Sequence, residues 1–336
     1  MKAFVLDKYR KGTALIERAL PDPFPGPSDV LIRIGAAGLN VLDLKIRDGA
    51  FKPILPYKTP LVLGHDLAGT VVKIGSQVDR VRVGDVVYAR PRDGRIGTFA
   101  EMIAVDQDDV ALAPANLSMT EAAGVPLVAL TAWQALVEVG TLQPGQKVFI
   151  QAGSGGVGSI AIQLARHLGA TVATTCGASS MEMVRALGAD VVIDYRTQDF
   201  EAELSGYDVV LHSQDDEALM KSLRVLKPGG MLISISGPPT PEFARDQGLA
   251  LPIRLILGVL SRKARKAARA AGVRYSFLFM RADGRQLQKI AALIEAGVIT
   301  PVTDRTFAFQ HLNEAMAYVG TGRAKGKVVV TIGMTL

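Results

Sequence analysis

The spacing of apolar positions changes character part-way along this chain. Up to about residue 120 the apolar residues fall in short β-branched or aliphatic runs, at 3–6, 29–34, 69–74, 85–89 and 98–105. Turn signals such as Pro21-Asp22-Pro23, Pro25-Gly26-Pro27, Gly75-Ser76 and Val83-Gly84-Asp85 separate them. One helix-period patch, 41–48, interrupts the series. Many short strands with frequent turns predict a compact, barrel-like domain. From about residue 121 the period alternates. Residues 129–139 read as helix, strands are expected at 148–150, 171–175, 191–193, 208–212, 231–236 and 275–279, and helices at 156–168, 180–187 and 217–226. Strand and helix in alternation with short connections predict an α/β domain with a parallel, doubly wound sheet. Gly188-Ala189-Asp190 and Pro228-Gly229-Gly230 read as helix ends. After residue 281 come one more helix, 286–296, and short mixed elements ending in a strand at 327–332.

The most informative stretch is 147–170. The apolar run Val148 to Ile150 ends in a glycine cluster, and helix-period residues follow. Gly153-Ser154-Gly155-Gly156-Val157-Gly158 fits G-x-G-x-x-G in register. Strand, glycine turn and helix N-terminus together present bare backbone N–H groups and the positive end of a helix dipole to an anion. Both flanking elements that the motif requires are present, so the stretch reads as a dinucleotide pyrophosphate site rather than an ordinary glycine-rich connection.

Composition narrows the picture. No apolar run approaches the roughly 18 residues of a membrane helix, and the N-terminus lacks a signal-peptide core, so a cytoplasmic protein is expected. A single cysteine, Cys176, excludes an intramolecular disulfide and any site built on several thiolates. The net charge of +6 is local: residues 261–274 hold Arg262, Lys263, Arg265, Lys266, Arg269 and Arg274 with no acid. No nucleic-acid motif accompanies that segment. Helical spacing puts Arg262, Arg265, Lys266 and Arg269 on one face. The preferred reading is a solvated face; the sharper one is attraction of an anionic substrate, or contact with a membrane surface through 254–274.

The sequence after the glycines bears on cofactor choice. A NAD site usually places an acid roughly 20 residues on, at the end of the second strand, to hold the ribose 2′-hydroxyl. Here that position reads Thr174-Thr175-Cys176-Gly177-Ala178-Ser179-Ser180, with no acid before Glu182. An uncharged, hydroxyl-rich end tolerates a 2′-phosphate, and Arg185, Tyr195 and Arg196 follow, so NADPH is favoured, although Ser179 or Ser180 could simply cap a helix. His65-Asp66 could suggest zinc, but no partnering cysteine or HxxxH spacing appears, and a lone satisfied histidine is preferred. Asn40 and Asp43 open the 41–48 helix. They could orient a substrate carbonyl, or serve as helix cap and first-turn acid. Tyr57, in the loop 53–60, could donate to a developing oxyanion or be a packed aromatic. Nothing resembles a serine hydrolase.

In order along the chain, Ala36-Ala37-Gly38-Leu39-Asn40-Val41-Leu42-Asp43, Gly64-His65-Asp66-Leu67-Ala68-Gly69, Val83-Gly84-Asp85, Leu130-Thr131-Ala132-Trp133, the 152–158 loop, Leu187-Gly188-Ala189-Asp190, Ile193-Asp194-Tyr195 and Gly322-Arg323-Ala324-Lys325-Gly326-Lys327 resemble the medium-chain dehydrogenase/reductase superfamily, in its zinc-independent quinone oxidoreductase branch. The resemblance implies a GroES-like β-rich catalytic domain, 1–120 completed by 282–336, and a Rossmann NADP-binding domain, 121–281, with the active site in the cleft between them. It implies hydride transfer from NADPH to a quinone or conjugated carbonyl without zinc. The alternatives are an enoyl or 2-alkenal reductase, an alcohol dehydrogenase-like reductase, or a protein that binds NADPH without turnover. Zinc-dependent relatives carry cysteines where this chain has Asn40 and near Leu127, which makes His65-Asp66 a remnant. Asn40, Asp43 and Tyr57 are the expected catalytic residues. Thr131, Gly153, Ser154, Gly155, Gly156, Val157, Gly158, Thr175, Ser179, Tyr195, His212, Ser236 and Lys327 are the expected cofactor ligands. A homodimer paired along the 275–279 edge strand is also implied.

Overall fold

The computed structural model describes residues 1–333, and the chain divides into two units, Met1–Leu130 with the chain from Arg281 onward, and Thr131–Met280. The first segment runs β1 (Lys2–Leu6), β2 (Ile16–Ala19), β3 (Asp29–Leu39), α1 (Val41–Arg47), β4 (Leu61–Val62), β5 (Asp66–Ile74), β6 (Val86–Ala89), β7 (Met102–Asp106), β8 (Val110–Leu112), α2 (Met119–Ala123) and α3 (Pro126–Trp133). The middle segment runs β9 (Lys147–Ile150), α4 (Gly156–His167), β10 (Thr171–Cys176), α5 (Met181–Ala186), β11 (Val191–Asp194), α6 (Phe200–Glu203), β12 (Tyr207–His212), α7 (Asp216–Val225), β13 (Leu226–Ser234), α8 (Pro241–Asp246), α9 (Leu251–Leu260), α10 (Arg262–Ala270) and β14 (Arg274–Phe277). The last runs α11 (Gly284–Glu295), β15 (Thr303–Ala308), α12 (Leu312–Gly320) and β16 (Lys327–Thr331).

In the first unit, β15-β16-β3-β5-β6-β8 form a mainly antiparallel sheet, with β7 also on β3, beside a small sheet ordered β2-β1-β4. The eleven-residue β3 organises it, because β5, β7 and β16 all pair with it. Register shifts in β3 and β5 bend the pair, as bulges do, so one sheet curls around a core of Phe4, Ile32, Leu67, Val87, Phe99 and Val330. The change of unit falls at Leu130/Thr131 rather than the expected 120/121, since α2 packs on β3 and β5.

The second unit is a parallel six-stranded sheet ordered β11-β10-β9-β12-β13-β14. Its central strands are apolar on both faces, as a sheet covered by helices requires: Phe149, Ala173, Val210 and Leu232 lie on one, Val148, Ile150, Val172, Leu211 and Ile233 on the other. The strand order reverses beside β9, where β10 lies on one side and β12 on the other, and the crevice at that point is where such sheets bind ligands.

Several expectations shift. Pro228-Gly229-Gly230 follows the end of α7 at Val225, as expected, and also lies inside β13, where the pairing with β12 jumps from Leu226 to Met231, so the proline meets no ladder partner. The expected helix at 129–139 is α3 continued by a π-helical stretch, Gln134–Val139.

Candidate functional site

Within the second unit the glycine turn is built by close approach. Ala152 takes a φ of 52°, in the left-handed region that costs a β-carbon about 1 kcal/mol or more, and turns the chain sharply out of β9. The Gly153 N–H donates to the Thr175 carbonyl at 2.9 Å, which draws the turn onto β10. A Cβ on Gly153 would lie 2.9 Å from Ile162 Cδ1, and one on Gly158 would lie 2.7 Å from the Gly153 Cα. Only glycine allows α4 to start this close to the strand. Gly156 and Val157 are the first helical residues, so their N–H groups have no intrahelical acceptor and point along the helix axis at whatever sits before it.

The parallel topology brings most of the expected cofactor residues to one edge, the carboxyl ends of the strands. Thr175 lies on β10, where its Oγ1 accepts the Ala152 N–H. Ser179 follows in a short 3-10 turn, and Tyr195, 59 % exposed, stands just past β11 with the Arg196 guanidinium 5.7 Å from its ring centre. No carboxylate occurs in residues 177–180. Asp194 stands one strand over, with its Oδ1 accepting the Arg196 N–H. Burial raises the Cys176 thiol pKa, with the Asp194 carboxylate adding to the rise and the Arg185 guanidinium opposing it, so both charges act at this strand end.

His212 departs from its expected role. It is wholly buried at the end of β12, with Nδ1 2.8 Å from the Ser234 hydroxyl and Nε2 3.0 Å from the Asp215 carbonyl. A carbonyl can only accept, so Nε2 carries the proton and Nδ1 accepts from the serine. Burial pushes its pKa below the usual histidine range, and a neutral imidazole with both nitrogens engaged is a strut rather than a cofactor ligand. Ser236 donates to the Gln214 carbonyl at 2.6 Å. Thr131 is buried on α3.

The first unit holds a second cluster. Asp66, at the start of β5 and fully buried, accepts from Asn40 Nδ2 at 2.9 Å, from Lys327 Nζ at 3.0 Å and from the Leu127 N–H at 2.7 Å. Lys327 also donates to Asn40 Oδ1 at 2.5 Å and to the Leu39 carbonyl at 2.9 Å. All three ammonium protons therefore stay inside this unit, which corrects the expectation that Lys327 holds cofactor. Beside it, Asp43 accepts the Asn40 N–H at 2.8 Å and meets His65 Nδ1 at 2.6 Å. Asp43 is fully buried with both oxygens engaged, so it supports α1 and His65 rather than facing a substrate. His65 Nε2 is buried with no hydrogen-bond partner among the described residues.

The resemblance placed a lost ligand site at Asn40, His65-Asp66 and near Leu127, and the fold does gather these positions. What occupies their midst is an ammonium. Asp66 already carries the Lys327 ammonium, and no group of three His, Cys, Asp or Glu side chains among the described residues is placed to hold a metal. The pairing of Lys327 with Asp66 had no local signal, since 261 residues separate them.

Tyr57 is held elsewhere in the first unit. Its hydroxyl accepts the Gly94 N–H at 3.3 Å and its carbonyl accepts from Tyr9. Burial, with the Asp93 carboxylate adding to it, pushes the phenol up to about 12, so it stays protonated.

Comparison with known proteins agrees with this architecture. Residues 26–115 match the alcohol dehydrogenase GroES-like domain and residues 187–330 the zinc-binding dehydrogenase domain. The chain is 33 % identical over 355 residues to NAD(P)H oxidoreductase RTN4IP1, mitochondrial, of Danio rerio, covering 99 % of this chain and 91 % of the relative. It is 35 % identical over 341 residues to the chloroplastic NADPH-dependent alkenal/one oxidoreductase of Arabidopsis thaliana, covering 98 % and 79 %. The solved quinone oxidoreductase of Coxiella burnetii superposes with a TM-score of 0.86 at 28 % identity, covering 99 % of each chain. With its GroES-like fold, its parallel dinucleotide sheet and relatives matched along nearly its whole length, the chain belongs to the quinone oxidoreductase branch of the medium-chain dehydrogenase/reductase superfamily and is an oxidoreductase that uses a nicotinamide cofactor.

Proposed function

We propose that this enzyme reduces a quinone or a conjugated carbonyl with NADPH and without catalytic zinc. The observation that carries the reading is the cluster of Asn40, Asp66 and Lys327. Where a zinc enzyme needs open coordination, this chain has a closed ion pair holding a carboxamide in one orientation. The Asn40 Nδ2 carries two protons and Asp66 accepts one, so the other is available to an acceptor oxygen that gains charge. When bound, the reduced nicotinamide supplies the hydride. The N–H groups of Gly156 and Val157 hold the pyrophosphate, with Thr175 and Ser154 at the rim. Arg185, Ser179, Tyr195 and Arg196 receive the 2′-phosphate in the absence of a carboxylate on 177–180.

Steady-state assays with NADPH and NADH against quinones, enones and simple alcohols test this. The expected result is quinone reduction that prefers NADPH and persists in chelator, with Asn40→Ala lowering kcat about a hundredfold, as loss of one oxyanion donor does. Zinc bound in stoichiometric amount, or activity confined to alcohols, would overturn it. A second reading, reduction of enones, is favoured by the alkenal/one relative, and the proton that follows the hydride would then need a donor such as Tyr57. In that case Tyr57→Phe lowers turnover of enones and leaves that of quinones unchanged. The expected homodimer would join two β14 edges, each paired on one side only, and sedimentation equilibrium should return twice the 35.7 kDa chain mass.

A further inference from the structure

The sequence between β13 and β14 forms a surface that the hydride chemistry does not use. On α9, Leu251, Leu255, Ile256, Val259 and Leu260 are exposed, at 58 to 73 % of their area. Their spacing covers about half the helix circumference, so α9 is apolar on its outer face as well as on the side where Leu257 is buried. Arg254 is its one charged residue, and a helix so largely apolar around its circumference belongs in a core or against another apolar phase. The next helix, α10, is the reverse. Ala264 and Ala268 pack into the core of the second unit, while Arg262, Lys263, Lys266 and Arg269 stand outside.

The two helices border a groove of ≈ 560 Å³, whose lining includes Leu251, Leu255 and Val259 together with Arg262, Lys266 and Arg269. The Nε atoms of Arg254 and Arg265 are buried at this place with no hydrogen-bond partner among the described residues. No acid among the described residues lines the groove; on α8, Glu242 is 3.8 Å from Arg265, and Asp246 ends that helix. Cations therefore stand in excess beside a row of leucine, isoleucine and valine. An occupant must offer negative charge next to hydrocarbon. A second copy of the chain does not, because a twofold contact through this face would set the cations of α10 against themselves.

We propose that the α9–α10 face docks on a membrane surface rich in anionic lipid, with the α9 side chains entering the acyl boundary and the α10 cations meeting the headgroups. The ten residues of α9 span about 15 Å, half of a hydrocarbon core, so the helix lies in the interface and does not cross.

Cosedimentation of the full chain with vesicles of phosphatidylserine and phosphatidylcholine, against vesicles of phosphatidylcholine alone, tests the proposal. Binding is expected to the anionic vesicles only and to fall as salt is raised. The triple change Arg262→Gln, Lys266→Gln, Arg269→Gln should weaken it about a hundredfold. The double change Leu255→Ser, Val259→Ser should weaken it with the cations intact. All five side chains are exposed, so an unchanged melting temperature shows that each variant is folded. The proposal is overturned if anionic vesicles do not bind, or if both variants bind as the parent does. It is equally overturned if octyl phosphate below its micelle concentration binds while vesicles do not, or if the Leu255/Val259 variant converts a dimer to a monomer with no change in vesicle binding.

Discussion

Asp66 has no contact with water, and its charge is answered by one ammonium and two N–H donors. Removing one partner of such a buried pair leaves the other charge stranded, at about 3–5 kcal/mol. Lys327→Met should therefore lower unfolding free energy in urea by that amount, and Asp66→Asn in the same chain should recover part of it. Recovery separates an electrostatic cause from lost packing. His212 gives a pH signature of the opposite kind. Its folded pKa lies below the ordinary 6.5, so the unfolded chain takes up a proton that the folded imidazole refuses. The stabilisation is present above about pH 6.5 and is lost as pH falls through that value towards the lower folded pKa. Urea midpoints measured from pH 7.5 to 5 should decline for the parent and decline less for His212→Gln.

At the scale of elements, the glycine turn makes the most direct demand. Gly158→Ala would push α4 away from Gly153 and carry the N–H groups of Gly156 and Val157 with it, so cofactor affinity should drop together with about 1–3 kcal/mol of stability. Fluorescence titration with NADPH and a urea melt would report the two effects separately. This turn was legible because strand, glycines and helix are contiguous. The strands 29–34 and 208–212 were legible because burial leaves a local apolar pattern. β2 was not: as an edge strand its four residues are all exposed, so Ile16-Glu17-Arg18-Ala19 carries no alternation to read. Pro228-Gly229-Gly230 marks the end of α7 but hides the start of β13, since a break in a ladder and the end of a helix use the same residues. Asn40 and Asp43 were found but could not be told apart. Their different roles depend on His65, Asp66 and Lys327, which pair with them only in the folded chain.

At the scale of the whole molecule, ligand binding and stability are linked. A dinucleotide held only by the folded chain should raise unfolding free energy by about 2.7 kcal/mol at a hundred times its Kd. Calorimetric scans with NADPH and NADH at equal concentration therefore rank the cofactors without any acceptor present. The larger shift is expected with NADPH, and a larger shift with NADH would count against Arg185 and the carboxylate-free 177–180 turn.

Lys327 lies on β16, which pairs with the β3 strand made almost three hundred residues earlier. During synthesis, β3, β5 and α1 leave the ribosome long before β16 exists, and throughout that interval Asp66 has no cation to meet it. The parallel sheet of the second unit draws all its strands from one uninterrupted stretch and can close first. The first unit should thus be the late step of biogenesis. Nascent chains arrested before residue 327 should yield a protease-resistant fragment from 131–280 while the N-terminal barrel is still being cut.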